Sequence, residues 1–401
     1  MLFFYIATVL LSPFIAFVMA IYRFTHKHYY FSACIIALAL ALFCRYYPPV
    51  GDQYRYWLML DDFDPEQVLA DIKNYNSVIA LVYVCNIFNI SLETLRSCLV
   101  FLMFLLAFTV IIDILKQNNA NLTSRKILFV LSIFLCFFPF WHIVYGFRWG
   151  CAAVFLATGL YWGIFRKRWI VGGLLGIAAI VTHFASVMAV VLILFFYWIN
   201  IKSKFGVIIF CASFLLVGEL IIHLGLTTLF PGWDVLDAYV NSDAYWKSGF
   251  LSDLNIYGVL MHYIVKLPLW LYLLYLLIAW EQNKTELTRL VLAGIMSVAL
   301  VSSFGTMYSR FSVLVLLLIA FDFSTTALKS EMIFRKYAKF IVMLAICYIF
   351  TKSYSLRHQR IPQNEVKFLV APLWSSATFS YDDNFVKRYV DDDGIFYKEL
   401  L

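Results

Sequence analysis

The chain has 401 residues, of which 63% are hydrophobic, 19% aromatic and only 14% charged, with a formal net charge of +7. An ordinary soluble domain is about 45–50% apolar and about 25% charged, so this excess is more than a globular core can hide. Soluble enzymes, nucleic-acid-binding modules and disordered scaffolds are excluded, and an all-α polytopic membrane protein is expected. Apolar runs long enough to cross a bilayer as helices need about 17–25 residues. Such runs fall near 1–22, 31–47, 94–115, 127–146, 149–165, 169–183, 184–200, 206–226, 256–280, 288–307, 311–328 and 340–356. A β-barrel would show alternation instead. The run 77–92 is short, contains Asn86 and Asn89 and abuts Glu93 and Arg96, so it is expected to lie at the interface. The basic residues Arg23 and Lys27 follow the first run instead of preceding it, which argues against a signal peptide.

Lys and Arg in short loops stay on the cytoplasmic side. Alternate loops carry 16 of them, including Arg125, Lys126, Arg166, Lys167, Arg168 and Lys329, and the opposite loops carry 5. This places the N-terminus outside, with external loops near 48–76 and 227–255 and an external tail over 357–401 after a membrane domain over 1–356. The first loop is acidic, with Asp52, Asp61, Asp62, Asp64, Glu66 and Asp71. All eight cysteines lie in apolar runs and none forms a Cys-x-x-Cys pair, so neither a disulfide framework nor a zinc site is expected.

Charged groups at membrane depth are costly and usually face a cavity. Here they gather towards the outer side. Arg45 ends the second run and is followed by Val50-Gly51-Asp52-Gln53-Tyr54-Arg55-Tyr56. His142, Tyr145 and Arg148 share an outer turn, His183 marks a break between two runs, and Arg310 follows Tyr308 at another outer turn. His262 and Lys266 lie four residues apart on one helical face, as do Glu219 and His223. A single Arg at a helix end is an ordinary snorkelling anchor, with Tyr and Trp beside it as an interfacial belt. Anchors alone would be scattered over both sides.

Converging Arg and Lys suit a diphosphate, because a guanidinium fork pairs phosphate oxygens and neutralises charge on a leaving group. An external His or Asp can take a proton from an attacking hydroxyl. Tyr54, Tyr56, Trp57 and Tyr308 offer faces on which sugars stack. Glycosyl transfer from a lipid diphosphate is the chemistry these residues suggest.

At these positions the sequence resembles the EpsG-like branch of Wzy-type O-antigen and exopolysaccharide repeat-unit polymerases. The resemblance is carried by Arg45 through Val50-Gly51-Asp52 to Tyr54 and Tyr56, by Arg148-Trp149-Gly150-Cys151-Ala152-Ala153, by His183-Phe184-Ala185-Ser186 and by Tyr308-Ser309-Arg310-Phe311. It spans roughly 45–330 in order and hydropathy. Gln53 stands where the family has a small or aromatic residue, and Trp149 where glutamine is common. The resemblance implies a GT-C-like fold and a metal-independent, cofactor-free transfer of a growing glycan from undecaprenyl diphosphate to a new lipid-linked unit. The enzyme would sit in the bacterial inner membrane with its site on the periplasmic side. It implies Asp52, His183 and Arg148 as catalytic residues. Arg45, Arg310, Tyr54, Arg55, Tyr56, Tyr308, His142, Tyr145, His262 and Lys266 would bind substrate. Membrane lipids and lipid-linked glycans are the partners, with no nucleic acid, and an ordered external tail would suit a chain-length regulator. Two alternatives stay open: a transferase using a polyprenyl-phosphate sugar, for which Asp62-Phe63-Asp64 would matter, and a lipid-linked oligosaccharide flippase.

Overall fold

The computed structural model describes residues 2–61, 77–119, 122–199, 201, 203–223, 256–280, 285–302, 305–356 and 360–390. The expected features at 62–76, with Asp62, Asp64, Glu66 and Asp71, at 227–255 and at Asp391-Asp392-Asp393 lie outside the described residues, as do the side chains of Glu219, His223 and His262.

In chain order the helices are α1 (Leu2–Leu11), α2 (Pro13–Thr25), α3 (Tyr29–Phe43), α4 (Asp52–Asp61), α5 (Ser77–Ile87), α6 (Leu92–Gln117), α7 (Ser124–Phe137), α8 (Phe140–Gly146), α9 (Arg148–Leu160), α10 (Trp169–Thr182), α11 (Ser186–Ile199), α12 (Lys204–His223), α13 (Ile256–Ile278), α14 (Glu286–Leu300), α15 (Gly305–Lys329), α16 (Glu331–Ser355), α17 (Pro362–Val370), α18 (Leu373–Thr378) and α19 (Asp383–Tyr389). No strand occurs among the described residues. Four stretches, Tyr29–Tyr46, Leu92–Gln117, Ser124–Gly146 and Met307–Lys329, are long and apolar enough to cross a membrane.

Local chemistry sets the ends. Ser12, Ser91, Thr123 and Thr285 cap α2, α6, α7 and α14 by accepting from backbone N–H groups three residues on, satisfying donors a helix start leaves orphaned. Two of the expected single helices are broken. Ser12-Pro13 splits the first run into α1 and α2, and Phe138-Pro139 splits 127–146 into α7 and α8, because proline lacks the donor that would continue the ladder. The second break turns the chain at the start of the candidate site.

Helix α15 runs through the middle, with 94% of its most apolar window buried. Around it pack α7, α9, α14 and α16. On the outside, Ile170, Leu174, Ile177 and Val181 of α10 and Val191, Phe195 and Trp198 of α11 are exposed at helical spacing, an apolar face suited to lipid. Charged groups segregate to two ends. One end holds Lys27 bonded to Asn119, Lys116 to Tyr30, and Arg166 paired with Asp113. The other holds Arg45, Asp52, Arg96, Arg148, His183 and Arg310. At that second end, α5 packs Val78, Val82 and Cys85 against Tyr54, Tyr56, Trp57, Leu92 and Leu95. Its 11 residues are about 17 Å long, too short to cross a hydrocarbon core of about 30 Å.

The tail folds back onto this same end. Tyr46 stacks on Phe379 at 4.5 Å and bonds Ser376 at 3.0 Å, the Tyr381 hydroxyl donates to the Tyr46 carbonyl at 2.6 Å, and Val386 is fully buried beside Val50, Tyr56 and Phe147.

Candidate functional site

Arg148 is presented by a strained turn. Between α8 and α9, Phe147 adopts φ +32° and ψ −66°, a left-handed conformation that a bulky side chain rarely takes. Its ring is fully buried and lies parallel to that of Tyr56 at 5.8 Å, a contact that holds the conformation. Gly150 lets the two helices meet here, since a Cβ at that position would stand 2.5 Å from the Ile143 nitrogen.

Asp52 enters from the opposite side. Gly51, at φ +63°, turns the chain into α4, and Asp52 occupies the first turn, where the helix dipole favours a carboxylate. Its oxygens stand 3.6 Å from an Arg148 guanidinium nitrogen and 3.9 Å from one of Arg55. Both Asp52 and Arg148 are about one-third exposed, so the pair can be reached by a ligand. The next residue points inward: Gln53 is fully buried, donates to the Val144 carbonyl and accepts from Arg96 at 2.9 Å. Arg96, also fully buried, donates to the carbonyls of Tyr47 at 2.7 Å and Arg45 at 3.3 Å. This network joins α4 to α6 and α8 and fixes the aim of Asp52.

Two donors beside that pair are buried and form no hydrogen bond with a described residue, Arg148 Nε and the Tyr56 hydroxyl. Other buried side-chain atoms among the described residues also lack a partner, but these two stand beside a carboxylate, where they could bond an oxygen-rich ligand. Burial raises the pKa of Tyr56, against the smaller opposing effect of Arg148, which keeps the phenol protonated as a donor.

Trp149 connects Arg148 to the other half of the site. Its indole N–H donates to the Arg310 carbonyl at 2.8 Å, and its ring lies parallel to Phe311 at 6.2 Å and edge-on to His183 at 5.4 Å. His183 sits in the break between α10 and α11. Burial, then the charges of Arg310 and Arg148, lower its pKa, so the imidazole is neutral. Its Nδ1 accepts from the Ala185 backbone N–H at 3.2 Å. With Nδ1 accepting, a neutral ring carries its proton on Nε2, where it can be donated to a ligand. His183 and Asp52, the two groups expected to assist an acceptor hydroxyl, thus stand in different surroundings, one buried and one partly exposed.

Asp52, Arg55, Tyr56, Arg148, His183 and Arg310 are thus brought to one place, and His142 lies within electrostatic reach of Arg310 and Lys352. Other expected site residues are turned elsewhere. Arg45 donates to the Phe379 carbonyl at 3.0 Å and to Thr94 at 2.9 Å, so its guanidinium anchors the tail. Tyr54 is buried against Trp57, and Tyr145 lies against Trp141 and Tyr47. Lys266 stands 4.6 Å from the Tyr308 ring centre, beside the Arg310 turn. His262 lies outside the described side chains.

The sequence reading missed Gln53, Arg96, Phe147 and Trp149 as site-building residues. Gln53 and Trp149 had stood out as departures from the family pattern; for Phe147 no sequence signal existed. No group of three His, Cys, Asp or Glu able to hold a metal occurs among the described residues. Two guanidinium groups, a neutral imidazole N–H, a phenol and a carboxylate can together bind a phosphate ester and accept one proton. No protein-family model, curated protein or solved structure matches this chain, so these residues alone carry its functional reading.

Proposed function

We propose that this chain is a repeat-unit polymerase of the bacterial inner membrane, with about twelve membrane-spanning segments in a GT-C-like arrangement and its site on the periplasmic side. Arg148 and Arg310 hold the diphosphate of the undecaprenyl-linked donor glycan, and His183 Nε2–H and the Tyr56 hydroxyl add donors to its oxygens. The acceptor hydroxyl of a new lipid-linked unit attacks the donor's anomeric carbon. The new carbon–oxygen bond forms as the bond to the diphosphate breaks, and undecaprenyl diphosphate leaves with the electron pair. Binding of the diphosphate draws Arg148 away from Asp52, and the freed carboxylate takes the hydroxyl proton. The folded tail offers a rigid outer surface for a chain-length regulator.

The observation that carries this reading is the pair of unsatisfied donors, Arg148 Nε and the Tyr56 hydroxyl, beside the Asp52 carboxylate. The test is the gel profile of surface polysaccharide from cells lacking the gene and complemented with wild type or Arg148→Ala. A ladder restored by wild type and reduced to a single repeat unit with Arg148→Ala is expected. Loss of even the single unit in cells without the gene would point to an earlier transferase or a flippase.

A further inference from the structure

The end of the bundle opposite the Asp52–Arg148 pair holds a cleft unrelated to it. Arg310 and Lys329 lie 19 residues apart on α15, a rise of about 28 Å, close to the thickness of a hydrocarbon core. At the Lys329 end a cavity of about 770 Å³ opens between the starts of α7 and α16, lined by Thr123, Arg125, Lys126, Lys329, Glu331 and Phe334. Lys126 is 7% exposed and pairs with Glu331 at 2.7 Å, and Arg335 pairs with the same carboxylate at 2.9 Å. Glu331 is therefore neutralised twice over. Arg125 and Lys329 are exposed into the opening, and neither makes an ion pair with a described residue. One turn further along the Arg125 face, Leu128 is 45% exposed, and Met332 beside Glu331 is 57% exposed. Cations at a rim with apolar side chains next to them match an amphiphile better than a soluble anion.

We propose that this cleft binds the phosphodiester head group of an anionic phospholipid from the leaflet opposite the Asp52–Arg148 pair. Arg125 sets its guanidinium fork on the phosphate oxygens, Lys329 supplies a second charge, and Leu128 and Met332 receive the upper acyl chain. The proposal rests on the membrane reading of the chain and not on the polymerase reading, so either can fail alone.

The full-length protein in detergent is titrated with phosphatidylglycerol, phosphatidylcholine or inorganic phosphate while thermal unfolding is followed and bound lipids are counted by native mass spectrometry. Phosphatidylglycerol is expected to raise Tm and stay bound where the other two do not. Arg125→Ala with Lys329→Ala is expected to weaken that binding roughly 30-fold, about fivefold for each basic residue at a membrane surface. Arg125→Lys keeps the charge but loses the fork and is expected to weaken binding less than Arg125→Ala, and Arg168→Ala, an exposed arginine outside the cleft, leaves it unchanged. Equal effects of the two lipids, or persistence of binding in the double variant, would overturn the proposal. An equal shift with inorganic phosphate would assign the cleft to a soluble anion instead.

Discussion

The indole N–H of Trp149 donates to the backbone carbonyl of Arg310, 161 residues away in sequence, at 2.8 Å. The bond fixes the separation of two arginines that sequence order alone leaves unrelated. Trp149→Phe keeps an aromatic ring beside His183 and Phe311 but removes the bond to the Arg310 carbonyl, at a cost of about 0.5–1.5 kcal/mol in detergent unfolding. Trp149→Ala removes the ring too and costs about 3–5 kcal/mol. If the bond positions the site, Trp149→Phe shortens the polysaccharide while the protein stays folded; unchanged polymer length would confine Trp149 to packing.

Asp52 and Arg148 are partly exposed, and such pairs contribute about 0–1 kcal/mol. Asp52→Asn is therefore expected to leave thermal stability almost unchanged and yet to abolish polymer growth, because the amide cannot take up the hydroxyl proton. Purified Asp52→Asn with a normal Tm and a normal polysaccharide ladder would remove Asp52 from the chemistry.

His183 gives a pH signature with a definite sign. Its folded-state pKa lies below its ordinary value of about 6.5, so the unfolded chain binds a proton that the folded chain refuses. Its stability contribution is complete above about pH 6.5 and is lost as pH falls below it. His183→Gln, which keeps a side-chain donor, should lose less stability between neutral and mildly acid pH than wild type. Parallel Tm curves for the two proteins would mean that His183 titrates normally.

The buried Gln53–Arg96 pair makes a contrasting prediction. Arg96→Met leaves the Gln53 amide oxygen and two backbone carbonyls without their donor in a dry environment. Each of these buried acceptors left unsatisfied costs about 1–3 kcal/mol. Expression and detergent stability should collapse before any effect on polymer length can be measured, the reverse of the order expected for Asp52→Asn.

The helical, lipid-compatible character of the chain was legible because hydropathy is a local property, and the long runs at 94–115 and 311–328 reappear in α6 and α15. The breaks at Pro13 and Pro139 were equally local, but the length of the apolar runs outweighed them. The gathering of Asp52, Arg148, His183 and Arg310 followed from their shared position at helix ends. The fate of Arg45 did not, because its partner Phe379 lies 334 residues away and donates no pattern to the sequence. The partner of His183 likewise turned on something no sequence records, the backbone N–H of Ala185 pointing at Nδ1.

The docking of the tail sets an order on how the protein comes to exist. Arg45 is synthesised early, but the carbonyl it binds belongs to Phe379, and the hydrophobic cluster around Val50 and Tyr56 is completed only by Val386. A nascent chain can thread its apolar segments and still carry an unfinished end beside Asp52, with the Arg45 guanidinium and a set of apolar side chains waiting for partners not yet translated. Premature termination anywhere before Phe379 leaves that gap permanently open. Ser376, Phe379 and Val386 thus act as a seal over Arg45, Tyr46, Val50 and Tyr56.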